Sequence, residues 1–268
     1  MLRDITLGQY YQTESVLHKM DCRVKLVGTL AFIISLFVVN NVWGYLLAAA
    51  FLALCIFLSK VPFRFMVKGM KSIVFLMLFA VVFNLFLTPG TPVISFWKLR
   101  ITDAGIRMAA QMAVRLVMLI IGSSLMTLTT TPNHLTDGME SLLKPLKKIK
   151  VPVHEVAMMM SIALRFIPIL LEETDKIMKA QIARGADFES GNVIQKAKAM
   201  VPLLVPLFIA AFRRANDLAM AMEARCYRGG EGRTKMKPLI YQKNDYAAYG
   251  VLVVYLAAAI VVGRILPL

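Results

Sequence analysis

Acidic side chains are scarce in this chain, 16 against 31 lysines and arginines in 268 residues, which leaves a formal net charge of +15. Twelve of the acids fall between residues 132 and 245, so the basic surplus there is modest and mixed, unlike a nucleic-acid patch. Cysteine is rare too. Cys22, Cys55 and Cys226 are odd in number and scattered, which argues against a disulfide framework or a metal site. No G-x-x-x-x-G-K-[ST] loop occurs, so the chain lacks the usual cradle for ATP. His154-Glu155 begins like a zinc-protease H-E-x-x-H helix, but Met158 stands where the second histidine would be. Glu172-Glu173 resembles the paired glutamates of an intramembrane protease, yet Ile177 replaces the arginine such enzymes carry. A catalytic role, a cofactor and a bound metal are therefore not expected.

What fills the chain instead is apolar: 58% of residues are hydrophobic and the mean hydropathy is +0.66. That is too apolar for an ordinary soluble domain, and the fold class expected is an all-α integral membrane protein in the lipid bilayer. Between Lys25 and Lys60 no charge intervenes. One helix of that length would run to ~50 Å, well beyond a hydrocarbon core of ~30 Å. It must fold back, and Asn40-Asn41-Val42-Trp43-Gly44 supplies the turn. The expected spans are residues 26–39, 45–58, 72–88, 104–130 and 246–262, five in all. Residues 93–102 read as an extended outer loop or a small hairpin. Residues 156–171 and 199–212 are apolar but interrupted by Arg165, Pro168, Pro202 and Pro206, and read as partly inserted or interfacial.

Counting Lys and Arg by loop places the N-terminus in the cytoplasm. Residues 1–25 and 60–71 carry four each, the 40–44 turn none, and the 89–103 loop only Lys98 and Arg100. The first residues are polar and do not resemble a cleavable signal. Three regions follow: a four-helix membrane part (1–131), a cytosolic or interfacial part (132–245) and a last transmembrane helix (246–268).

Arg107, Gln111 and Arg115 share a face of the fourth span. They either line a path, as in a stand-alone channel or secondary carrier, or snorkel with Asp103 as partner. The eighteen methionines are core filler or an adaptable surface.

The most distinctive pattern is doubled. Ile177-x-x-Ala180-x-x-Ala183-Arg184-Gly185 and Leu218-x-x-Ala221-x-x-Ala224-Arg225-Cys226 repeat forty-one positions apart. Each sets a stripe of small residues and one arginine on a single helical face. Gly185 is expected to stop the first helix and Asn192 to cap the second, which runs to about Arg225 and is broken or bent near Pro202 and Pro206. Low alanine ridges let another surface approach, and arginine is the side chain best suited to an acidic groove. A solvated helix end whose cation favours the dipole is the plainer alternative.

Ala183-Arg184-Gly185 and Ala224-Arg225-Cys226 resemble the twin Ala-Arg-Gly motifs of the transmembrane T component (EcfT) of energy-coupling factor transporters. The resemblance extends to Gly8-Gln9-Tyr10-Tyr11, to Ser15, His18, Asp21, Arg23 and Lys25, to Ala186-Asp187-Phe188, to Ala211-Phe212-Arg213-Arg214-Ala215 and to the stretch Tyr227-Arg228-Gly229-Gly230-Glu231-Gly232-Arg233-Thr234. Cys22 and Cys226 depart from it, replacing a proline and the second glycine. The resemblance implies a membrane scaffold that joins two ATP-binding cassette subunits to a substrate-capturing S component in an importer of vitamins or micronutrients. Residues 183–185 and 224–226 would then dock the ATP-binding subunits. A nickel or cobalt importer's T component is the nearest rival within the same family.

Overall fold

The computed structural model describes residues 10–39, 41–89, 92–96, 99–188, 192–230, 232 and 236–265. Gly8, Gln9, Glu231, Arg233 and Thr234, which entered the sequence resemblance, lie outside the described residues. The chain is an all-α membrane protein with one small two-stranded ribbon. It divides into two compact units. Met139–Pro238 forms one, and the described residues before Met139 combine with those from Leu239 onward in the other.

The second unit holds α1 (Val16–Lys19), α2 (Cys22–Val38), α3 (Val42–Ser59), α4 (Phe63–Leu87), the ribbon β1 (Pro92–Phe96) and β2 (Leu99–Thr102), α5 (Asp103–Thr129) and α9 (Lys243–Ile265). The strands pair antiparallel with Phe96 opposite Leu99, so the outer loop is the hairpin that was one of two expectations. Its core lies among α2, α3, α5 and α9. Phe32, Leu36, Ala48, Leu52, Ile121, Leu125 and Tyr255 are buried together there. Gly122 lets α5 approach α2, since a Cβ there would meet the Phe32 ring at 2.8 Å. Tyr255 stacks on Phe51 with ring centroids 4.2 Å apart and shares a 2.7 Å hydrogen bond with Ser35. A tyrosine inside an apolar bundle needs such a partner for its hydroxyl.

Polar clamps tie the start of α2 to the start of α9. Asp21 caps α2 by accepting the Arg23 N–H at 2.9 Å, and its own N–H donates to Asp245 Oδ1 at 2.9 Å. Asp245 is 1% exposed, and its Oδ2 takes the Gln242 N–H at 2.7 Å, so the buried carboxylate has both oxygens occupied. Arg23 pairs with Asp21 at 2.7 Å and lies 3.8 Å above the Tyr241 ring. Burial pushes the Asp21 carboxyl up, but the hydrogen bonds and charge of Arg23 outweigh that and hold it below its usual value. Cys22 opens α2 with its thiol donating to the His134 carbonyl at 2.8 Å.

The Met139–Pro238 unit contains α7 (Val153–Ala183) and α8 (Val193–Ala224), preceded by the end of α6 (Pro132–Leu143) and a 3-10 turn over Lys144–Ile149. These helices differ from expectation. Pro168 does not interrupt α7, and Pro202 and Pro206 do not break α8, so each is one continuous rod of 31 or 32 residues. A proline costs its helix one N–H donor, four residues ahead of the carbonyl it leaves bare. Pro206 leaves the Pro202 carbonyl, and Gln181 Nε2 from α7 reaches it at 3.5 Å.

Five described helical segments are long and apolar enough to cross a membrane: Val42–Ser59, Asp103–Thr129, Val153–Ala183, Ile194–Ala224 and Lys243–Arg264. The number agrees with the sequence reading but the membership does not. α2 has 17 residues and the apolar part of α4, Met77–Phe86, is shorter still, while α7 and α8 qualify. Reading their prolines as breaks hid two continuous helices.

Candidate docking helices

α7 and α8 are consecutive and antiparallel. His154 packs against Gly230, Glu173 meets Arg214, and Gln181 meets Pro202, so contacts that advance along α7 retreat along α8. The central contact is an ion pair, Arg214 Nη2 to Glu173 Oε2 at 2.7 Å. Its partners are forty-one residues apart, the same offset that separates Arg184 from Arg225. Glu173 and Arg214 thus occupy equivalent positions of the internal repeat, and each lies eleven residues before the arginine that ends its own helix. Eleven residues at ~1.5 Å in opposite directions set those ends on the order of 30 Å apart.

Both ends fold alike. Arg184 caps α7, Gly185 takes a left-handed φ of 89°, and the N–H groups of Gly185 and Ala186 return to the carbonyls of Ile182 and Gln181 at 2.9 and 3.0 Å. Arg225 caps α8, Cys226 takes φ 54°, and the N–H groups of Cys226 and Tyr227 return to Glu223 and Met222 at 2.8 and 3.0 Å. This is the Schellman arrangement in both cases, built on glycine once and on cysteine once. Cys226 therefore preserves the bend its glycine counterpart makes.

Ala183, Arg184, Gly185, Ala224, Arg225 and Cys226 are all exposed. Neither Arg184 nor Arg225 has a hydrogen-bonded or charged partner among the described residues. The start of α8 is fixed by a reciprocal capping box between Asn192 and Gln195. Along the rest of α8 the apolar side chains stand out, with Phe208, Ile209 and Phe212 each more than 60% exposed. The surface of this pair thus combines exposed apolar side chains on α8 with an exposed arginine at each of its two tips.

Residues 13–236 match the family of cobalt transport proteins, CbiQ. The chain is 56% identical over 256 residues to the energy-coupling factor transporter transmembrane protein EcfT of Ruminiclostridium cellulolyticum, covering 96% of both chains. It is 59% identical over 250 residues to the EcfT of Clostridium kluyveri, covering 92% of this chain and 93% of that one. Against the EcfT of Bacillus subtilis it is 48% identical over 260 residues, with 96% and 97% covered. The chain belongs to the EcfT family.

Other residues singled out in this EcfT chain have local partners. Arg115 donates to the Tyr45 hydroxyl at 2.8 Å, and Arg107 lies 3.6 Å from Asp103. His154, from the incomplete protease motif, hydrogen-bonds Glu140 at 2.9 Å through Nδ1. No group of three His, Cys, Asp or Glu that could hold a metal occurs among the described residues. The Glu173–Arg214 pair is the functional candidate that sequence reasoning missed. Its signal was available in the matched offset of forty-one between the two residues.

Proposed function

We propose that this EcfT chain is the scaffold and energy-coupling subunit of an ATP-driven importer of vitamins or other micronutrients. It links two ATP-binding cassette subunits to a substrate-capture S component in the plasma membrane, with its N-terminus in the cytoplasm. Arg184 and Arg225 each seat in a groove of one ATP-binding subunit, and Ala183, Gly185, Ala224 and Cys226 allow close approach. The observation that carries this reading is the pair of similarly built, exposed helix ends, each offering an arginine with no partner among the described residues. ATP-driven closure of the two subunits would move the tips toward one another, and rigid α7 and α8 would transmit that motion into the membrane part. Swinging an equilibrium from ~1:99 to ~99:1 takes about 5.5 kcal/mol of differential binding. The chain supplies no ATPase site of its own.

Arg184→Glu combined with Arg225→Glu is expected to abolish uptake and release both ATP-binding subunits, each arginine contributing about 2–4 kcal/mol as an interface anchor. Copurification of both subunits with the double variant at the unsubstituted level would sink the assignment. The description of the matching family as cobalt transport favours a second reading, the T component of a nickel or cobalt importer. Identifying the membrane subunit that copurifies from native membranes separates the two.

A further inference from the structure

Between α1, α2, α3, α5 and α9 lies a crevice of about 310 Å³, wholly within one compact unit. Its inner wall is apolar, with Phe32, Phe51, Leu52 and Leu125 among the lining residues. Its polar lining gathers toward one end, where Lys25 sits in the first turn of α2, Asn244 in the first turn of α9 and Thr129 at the end of α5. The side is open: Leu54 and Val251 on its edge are about half exposed, and a Cβ placed on Gly28 would meet nothing within 4 Å.

Lys25 makes the polar end cationic. Its ammonium donates to the Thr129 carbonyl at 2.8 Å and the His18 carbonyl at 3.4 Å, both neutral acceptors. An ammonium has three donors, and no carboxylate among the described residues lies within ion-pairing distance of it. The nearby acids are already engaged, Asp21 by Arg23 and Asp245 by the N–H groups of Asp21 and Gln242. Burial holds the His18 imidazole below its usual pKa, so at neutral pH it adds little positive charge of its own. One half-buried cation, with no carboxylate paired to it among the described residues, at the mouth of an apolar slot matches an amphiphile with a negative head. The slot has too few polar groups to orient a water-soluble metabolite. It lies among bilayer helices, where acyl chains are the solvent available to fill it.

We propose that this crevice holds one acyl chain of an anionic phospholipid, with the lipid phosphate against Lys25 Nζ. The site stands apart from the coupling reading above, because it is formed by residues of this chain alone and needs no ATP-binding subunit.

The test is native mass spectrometry of the purified full-length chain, titrated with phosphatidylglycerol or with phosphatidylcholine of the same chains. One phosphatidylglycerol should be retained about five-fold more tightly than phosphatidylcholine, the preference expected from one lysine at an anionic headgroup. Lys25→Gln should abolish that preference while leaving phosphatidylcholine retention unchanged, and Lys25→Arg should keep it. Gly28→Leu, whose side chain projects into the open crevice, should reduce retention of both lipids, with its thermal unfolding measured alongside. Equal retention of the two headgroups by the unsubstituted chain overturns the proposal. So does unchanged phosphatidylglycerol retention in folded Gly28→Leu, which still decides the matter if Lys25→Gln fails to fold.

Discussion

The bundle of α2, α3, α5 and α9 and the pair α7 and α8 have similarly apolar compositions but use them differently. In the bundle, Phe32, Leu36 and Ala48 are at most 3% exposed, locked by stacked rings and by the Asp21–Asp245 clamp. Along α7 the buried residues are Val153 and Ala157, and α8 presents Phe208, Ile209 and Phe212 outward. Both regions present apolar side chains outward, Phe57 at 83% and Val254 at 68% in the bundle, so what separates them is the buried core that the bundle has and α7 nearly lacks. The largest effect that separates them is a cavity. Leu36→Ala, at a residue with no exposure, should destabilise the purified chain by about 2–5 kcal/mol. Phe208→Ala on α8, 62% exposed, should change it by no more than ~0.5 kcal/mol. Thermal unfolding in detergent reads both, and equal losses would erase the contrast.

The two helix ends sharpen the comparison within the α7–α8 pair. Gly185 holds its left-handed backbone without penalty, whereas Cys226 carries a Cβ in the same region. That conformation costs an L-residue roughly 1–2 kcal/mol, so Cys226→Gly should stabilise the end of α8 and Gly185→Ala should destabilise the end of α7 by about that amount. Hydrogen exchange at the last turn of each helix measures the shifts separately. An unchanged exchange rate at Glu223 to Cys226 in Cys226→Gly would show that the end of α8 bears no such strain.

Local signals made α3, α5 and α9 readable from the sequence. Each is a long apolar run bounded by polar or turn residues, and hydropathy alone reports it. The ends of α7 and α8 were also legible, because glycine, asparagine and the alanine spacing act within one turn. The continuity of α7 through Pro168 and of α8 through Pro202 and Pro206 was not. Proline reads as a stop unless a neighbouring element compensates, and the Gln181 side chain that reaches the carbonyl Pro206 leaves bare comes from another helix. The Asp21–Asp245 clamp spans 224 positions and leaves no trace in any short window. In the sequence Glu173 reads as half of a failed protease motif and its partner, Arg214, as part of the family resemblance.

That pair gives the smallest expected effect on stability and the most informative one on coupling. Glu173 and Arg214 are 29% and 37% exposed, so their bond contributes no more than ~1 kcal/mol. Its position matters more than its strength, since it lies eleven residues from each tip, at the centre of the internal repeat. A joint equidistant from both arginines lets equal displacements of the tips turn the helices about one point. Glu173→Arg or Arg214→Glu alone places like charges at that point and should lower ATP-driven uptake more than it lowers thermal stability. The double exchange, Glu173→Arg with Arg214→Glu, restores opposite charges and should recover much of the loss, because the pair interacts as a unit. If both single variants transport normally, the joint is only a surface contact. If the double variant is as impaired as the worse single one, each side chain acts through some other neighbour, and the equal lever arms have no mechanical meaning.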